Sequence, residues 1–226
     1  MRVLLFGATG MVGQGVLQEC LHAQDVGEVV AVVRSPLARV QAKLTEVQHR
    51  DFFNWSDVDL SGFDACFFCL GVTSLGKSEP DYRHVTYDLT LKLAEALIKG
   101  SPQAVFVYVS GAGTNARGRQ MWARVKGATE NALMAMPFHG VYCFRPGYIQ
   151  PFDGVRSKVG WYNGIYVVVG WAYPLLRRLM PGIVTSTEAM GRAMLRVARD
   201  GWPQKVLESA QINAAAERVA AVSTQP

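Results

Sequence analysis

The stretch "LLFGATGMVGQGVLQECL", residues 4–21, restricts the fold more than any other part of the chain. A short apolar run ends at Gly7, and Gly10 and Gly13 follow as a helix-compatible segment begins. Gly7 permits a tight turn, Gly10 lets backbone N–H groups approach a pyrophosphate, and Gly13 lets the helix pack closely on a sheet. A glycine triplet alone is weak, but here it stands in the strand–turn–helix context that a dinucleotide fingerprint requires. Gly7, Thr9, Gly10, Met11, Val12 and Gly13 are therefore expected to bind a dinucleotide cofactor.

Further apolar runs repeat the pattern. Strands are predicted over residues 2–7, 28–33, 44–51, 64–71, 104–110 and 140–146, with helices over 86–99, 117–136 and 185–200 and an edge strand over 205–209. Strands apolar almost throughout suit a parallel sheet covered on both faces, and their alternation with helices suits right-handed crossovers. The expectation is α/β: a doubly wound parallel sheet (Rossmann fold) with a small C-terminal cap. One structural domain is expected, with a dinucleotide-binding core over 1–150. A substrate-side cap with a returning helix and an edge strand would follow over 151–213, and a frayed tail over 214–226.

Length and charge bound the rest. At 226 residues, 50% of them hydrophobic, the chain suffices for one packed domain and not two. The net charge of +5 is spread without a basic run or a zinc or RNP-type signature, so nucleic acid is not expected as a partner. "RVLLFG" begins at Arg2 with no charged leader or cleavage site, and four cysteines lie in apolar segments. Both suggest a soluble, cytoplasmic protein.

The second strand ends in "VVRSP", with Arg34 and Ser35 where an NAD site would place an acidic residue on the ribose hydroxyls. A guanidinium and a hydroxyl suit a 2′-phosphate, so NADP is expected, with NADPH preferred over NADH. Asp51 in "HRDFFN" either bonds the adenine amino group or sits in an ordinary surface turn.

The sequence resembles the atypical branch of the short-chain dehydrogenase/reductase superfamily, near the Tat-interacting-protein-like and epimerase-like NAD(P)-binding proteins. The resemblance covers about residues 1–200 and rests on "GATGMVG", "RDFF", "CLGVT", "VSGAG", "VKGATE" and "RPGYI". It implies that Gly71 and Val72 pass under the adenosine ribose and that Ser110 sits beside a substrate carbonyl. It further implies that Lys126 holds the nicotinamide ribose hydroxyls, and that Pro146, Gly147 and Ile149 shape the nicotinamide loop.

One position departs from the family. Trp122 stands four residues before Lys126, where the family carries a catalytic Tyr. An indole N–H is a donor that does not titrate usefully, so Trp122 cannot hand a proton to substrate. It can roof a flat ring, or it can pack into the core. Tyr87, Tyr148 and Ser110 are the alternative proton sources, unless the acceptor yields a delocalised anion that solvent protonates.

Other signals are discounted. Cys66-x-x-Cys69 lies within a predicted strand, where i and i+3 face opposite ways. The four histidines are far apart and show no metal-ligand spacing, and "VSGAG" lacks the first glycine of a hydrolase elbow. The uncharged run 160–176 is short for a bilayer span and is read as an aromatic cap, with an interfacial segment or dimer contact as alternatives.

The sequence thus supports an NADPH-dependent oxidoreductase acting on a small apolar carbonyl, quinone or flavin-like acceptor, with Ser110, Lys126 and Trp122 as catalytic residues. The alternative is a non-catalytic NADP(H)-binding sensor or scaffold. The expected partner is a small-molecule substrate, with no metal, little membrane contact and a homodimer open.

Overall fold

The computed structural model describes residues 1–37, 40–151 and 182–217. Its centre is a seven-stranded parallel sheet in the order β3-β2-β1-β4-β5-β6-β9. The strands are β1 (Arg2–Phe6), β2 (Glu28–Val33), β3 (Leu44–Gln48), β4 (Ala65–Phe68), β5 (Val105–Val109), β6 (Gly140–Arg145) and β9 (Val206–Glu208). A second, two-stranded parallel sheet pairs β7 (Tyr148–Gln150) with β8 (Val184–Ser186).

The period-2 pleat sends alternate residues of each strand into separate cores. Val3 and Leu5 join Ala31, Phe67, Val107 and Phe144 on one face, while Leu4 and Phe6 join Val32, Phe68, Phe106 and Cys143 on the other. The first core is roofed by α1 (Met11–His22), α5 (Thr187–Asp200) and α6 (Ser209–Glu217). The second lies under α3 (Leu89–Gly100), α4 (Met121–Met134) and the aromatic loop carrying Phe52, Trp55 and Phe63. Helices α1 and α5 approach so closely that a Cβ on Gly15 would lie 2.4 Å from the Thr187 Cβ. Ion pairs from Arg192 to Glu19 and from Arg199 to Asp25 flank this contact.

Strand order reverses between β1 and β4, which opens a crevice at their carboxyl ends, where a doubly wound sheet takes its ligand.

Several element boundaries differ from expectation. Strand β3 stops at Gln48, and His49 then turns the chain under the sheet by donating from Nε2 to the Asp51 and Asn54 carbonyls, at 2.6 and 2.7 Å. The helix expected from residue 86 is preceded by α2 (Glu79–Arg83), capped by Ser78 Oγ, and by a π-helical turn (His84–Asp88). Helix α4 begins at Met121 rather than 117, because Asn115 accepts from Arg117 N and Gly118 N in a local turn. The helix expected over 185–200 gives its first residues to β8, and Ser186 caps α5 by accepting from Ala189 N. Helix α6 continues to Glu217, past the boundary at 214 where a frayed tail was expected, because Ile212, Ala215 and Ala216 are buried. The expected cap and the aromatic run 160–176 lie outside the described residues, as does the tail from 218 onward. No described helix is long and apolar enough to cross a membrane.

Candidate cofactor-binding and active site

The glycine turn between β1 and α1 is built by backbone alone. Gly7 has φ +81°, and its carbonyl accepts from Gly10 N at 2.8 Å. A Cβ on Gly13 would stand 2.0 Å from that same carbonyl, so the first turn of α1 seats only with hydrogen at this position. No side chain caps α1 and no acid occupies its first turn. The amides of Met11, Val12 and Gly13 thus begin the helix without intrahelical acceptors, as an anion-binding end requires. Thr9 contributes its carbonyl to Gln14 Nε2, at 3.1 Å.

Beside this turn lies a cavity of about 170 Å³ that runs from the end of β2 to α4. Arg34, Gly71, Val72 and Lys126 are among the residues that line it. Its walls are apolar and aromatic, from Phe52, Leu70 and Leu89 to the buried phenols Tyr82 and Tyr108. The π turn brings Thr86 to the same wall, where the Thr90 hydroxyl donates to the Thr86 carbonyl at 2.6 Å. Insertions of this kind in a helix often mark functional sites. Ser35 is exposed next to Arg34, outside the lining. Asp51 is also outside it, and its carboxylate accepts from Phe53 N at 3.0 Å, which matches the surface-turn alternative. The neighbouring Phe52 turns into the cavity instead.

Ser110 and Lys126 meet. The Lys126 ammonium donates to the Ser110 carbonyl at 2.9 Å. Burial pulls the Lys126 pKa down from 10.5 to about 8, opposed by the carboxylate of Glu130 one helical turn away. Ser110 Oγ lies 2.9 Å from Thr114 Oγ1, and both residues are buried. Trp122 is half-buried, and its indole edge lies against the turn at Gly113, where an added Cβ would be 3.6 Å away. It stands over the β5–α4 loop outside both core clusters, so the core-packing alternative does not describe it. Among the other phenols, Tyr148 donates to Gln150 Oε1 at 3.0 Å, and the Tyr87 ring lies under the Arg83 guanidinium at 3.8 Å.

The loop after β6 is held from three sides. The Pro146 carbonyl accepts from Ala112 N at 2.9 Å, which ties this loop to the one after β5. Gly147 N donates to Ser209 Oγ, and Tyr148 N to the Ile183 carbonyl. Ile149 sits in β7 opposite Thr185, and neither it nor Pro146 nor Gly147 lines the cavity. Arg145, just before the loop, grips the buried Glu130 carboxylate through Nε and Nη2 and so fastens β6 to α4. That pairing, with its charge-assisted bonds, holds the Arg145 pKa above its ordinary value.

Of the residues expected at the site, Arg34, Gly71, Val72 and Lys126 line one cavity, the glycine turn abuts it at Leu70, and Ser110 joins it through its bond to Lys126. Ser35, Asp51 and the loop residues 146–149 are left at its margin. Phe52, Tyr82, Thr86, Tyr108, Thr114 and Glu130 belong to the site and its support, and sequence reading passes over them. Only Glu130 carried a signal, one turn after Lys126 in an otherwise neutral stretch. Cys66 and Cys69 enter opposite cores as free thiols, and burial pushes both well up. No metal-binding cluster occurs among the described residues.

Sheet order, glycine turn and crevice define a protein of the Rossmann fold, a doubly wound parallel α/β sheet. Solved structures share the fold. A short-chain dehydrogenase from Burkholderia cenocepacia in complex with NADP superposes with a TM-score of 0.63 at 17% identity, covering 98% of this chain and 93% of that one. The human epimerase family protein SDR39U1 with NADPH gives 0.61 at 16% identity, covering 93% and 77%. No family model matches the chain. Curated relatives are more specific. Mitochondrial protein fmp52 of Aspergillus clavatus is 30% identical over 189 residues, 75% of this chain and 80% of its own length. Mitochondrial protein FMP52 of Eremothecium gossypii is 28% identical over 217 residues, 94% and 96% of the two chains. The chain belongs to the FMP52 family. The cytoplasmic expectation is corrected by these relatives, which are named as mitochondrial proteins.

Proposed function

We propose that the chain is an NADP(H)-dependent oxidoreductase that passes a hydride to a small apolar carbonyl, quinone or flavin-like acceptor without a catalytic tyrosine. The observation that carries this reading is one cavity lined by both the Arg34 guanidinium and the Lys126 ammonium, beside a turn that has no room for a Cβ at Gly7 or Gly13. Residues and cofactor match in chemistry. Helix α1 offers unpaired amides to a pyrophosphate, Arg34 suits a 2′-phosphate, and the Lys126 ammonium has two further donors for a ribose diol. The cofactor supplies the hydride. The protein contributes orientation, an apolar wall that excludes water, and Ser110 beside the acceptor oxygen. By its relatives' names, we place it in or with mitochondria, or in the corresponding compartment of its source.

Fluorescence titration with NADPH and NADH tests the reading. NADPH should bind at least about tenfold more tightly than NADH (about 1.4 kcal/mol), and Arg34→Ala should remove most of the difference. Binding of neither nucleotide would overturn it.

The indole at position 122 favours a second reading, a cofactor-dependent sensor without turnover. Replacing Trp122 by Tyr separates the two. A large gain in carbonyl reduction from an inactive parent supports the sensor, whereas native turnover that the substitution leaves unchanged supports the tyrosine-independent enzyme.

A further inference from the structure

The hydrogen bonds around Ser110 fix more than its position. Its N–H donates to the Phe144 carbonyl at 2.7 Å, and its own carbonyl accepts from Lys126 at 2.9 Å. Among the described residues its hydroxyl has one protein partner, Thr114 Oγ1 at 2.9 Å, and Thr114 Oγ1 lies 2.7 Å from the Gly111 carbonyl. A carbonyl can only accept, and a hydroxyl carries a single proton. The Thr114 proton is therefore committed to Gly111, and toward Ser110 the Thr114 oxygen can only accept. The Ser110 proton points at Thr114. Ser110 and Thr114 are 5% and 4% exposed, so bulk water does not readily replace either partner.

What Ser110 Oγ has left for a ligand is lone pairs. We infer that Thr114 is a positioning residue that sets Ser110 as a hydrogen-bond acceptor, so that the group seated on Ser110 is a donor: an alcohol or hydroquinone O–H rather than the corresponding carbonyl. The inference rests on the proposed function, which places the reacting oxygen against Ser110, and it names the oxidation state the resting site prefers. A ketone oxygen there would face lone pairs with lone pairs. To accept it, both hydroxyls must rotate, so that Thr114 gives up Gly111 and donates to Ser110, which then donates to the ketone. The Gly111 carbonyl would keep only the longer bond from Thr114 N, at 3.2 Å. Reduced and oxidised ligands thus meet two different proton arrangements of one hydroxyl pair, and the resting arrangement matches the reduced one.

The test uses the full chain saturated with a 1,4,5,6-tetrahydronicotinamide analogue of NADPH, which seats like the cofactor and transfers no hydride. Matched probes, cyclohexanol with cyclohexanone and 1-tetralol with 1-tetralone, are titrated by ligand-observed NMR. The alcohol of a pair should bind about tenfold more tightly than its ketone. Thr114→Val, which keeps the shape and removes the accepting oxygen, should erase that preference mainly by improving the ketone. Thr114→Ser should retain it. A Thr114 that merely supports the loop would weaken both ligands alike in the valine variant. Equal binding or a ketone preference in the native protein overturns the inference, as does a preference that Thr114→Val leaves unchanged. If the analogue binds and no probe does, the inference falls alone. If the analogue does not bind, the proposed function falls with it.

Discussion

Lys126 combines two demands that conflict. In the proposed function its ammonium holds a ribose, yet burial brings its pKa down to about 8. Between about pH 8 and 10.5 the unfolded chain binds more protons at this residue than the folded one, so its contribution to stability rises with pH across that window. Below pH 8 the penalty is fully present, about 3 kcal/mol at most. Lys126→Met should therefore raise the thermal midpoint at pH 7 by a few degrees. The gain should shrink as pH approaches 10.5, read by calorimetry as the difference between the two proteins. Cofactor affinity should move the other way. NADPH binding should weaken above pH 8, by up to about tenfold per unit where the ammonium must be present, and the Met variant should lose the pH dependence together with most of the affinity. Lys126 and its spacing to Trp122 are plain in the sequence; its bond to the Ser110 carbonyl is not, because it depends on how the end of β5 meets α4.

Among elements, the glycine turn is the most legible and the most brittle. Gly13→Ala would place a methyl 2.0 Å from the Gly7 carbonyl, so α1 must shift off its turn. NADPH affinity should fall by more than about tenfold, with stability lowered by about 1–3 kcal/mol in urea denaturation. The clamp between α4 and β6 is less visible in the sequence. Glu130 is 1% exposed and holds Arg145 through two nitrogens. Glu130→Gln would leave the guanidinium without its buried counter-charge, and a loss of about 3–5 kcal/mol is expected. The loop at Pro146 should loosen with it, seen as faster amide exchange at Ala112, whose N–H is held by the Pro146 carbonyl. The pattern revealed β1, β2, β4 and β5 because each is apolar on both faces, unlike the edge strand β3 with its Thr45, Glu46 and Gln48. Periodicity missed α2, although "SEPD" holds a cap and a proline in its first turn, because five residues are too few to show a helical period. The π turn has no such signature, since one extra residue per turn becomes visible only where Thr86 and Tyr82 reach one wall.

At the scale of the molecule, the two cores explain the cysteines. Cys20, Cys66 and Cys143 are buried and Cys69 is partly so, and burial pushes every one of these thiols up. A thiol reagent at pH 7.5 should leave the native protein largely unlabelled and should modify all four residues after unfolding. Because the fold disfavours the thiolates, stability should decline as pH rises beyond 9, the ordinary thiol value for an unfolded chain. Fold class followed from alternation and the right-handed crossover rule, whereas the strand order emerged only in the structure. The location did not follow either, since a first strand beginning at Arg2 says nothing about where a protein works.

The close crossing of α1 and α5 has a consequence for how the protein is made. The helix that carries the glycine turn ends at His22 and leaves the ribosome well before its partner, which begins only at Thr187. Until that late segment emerges, Val16, Leu17 and Cys20 lack the cover that α5 gives them. The nascent chain thus carries its glycine-turn helix uncovered until α5 is made, and any product that stops before α5 presents a bare apolar stripe to chaperones and proteases. Completion of the C-terminal region is in this sense a quality check on the N-terminal one.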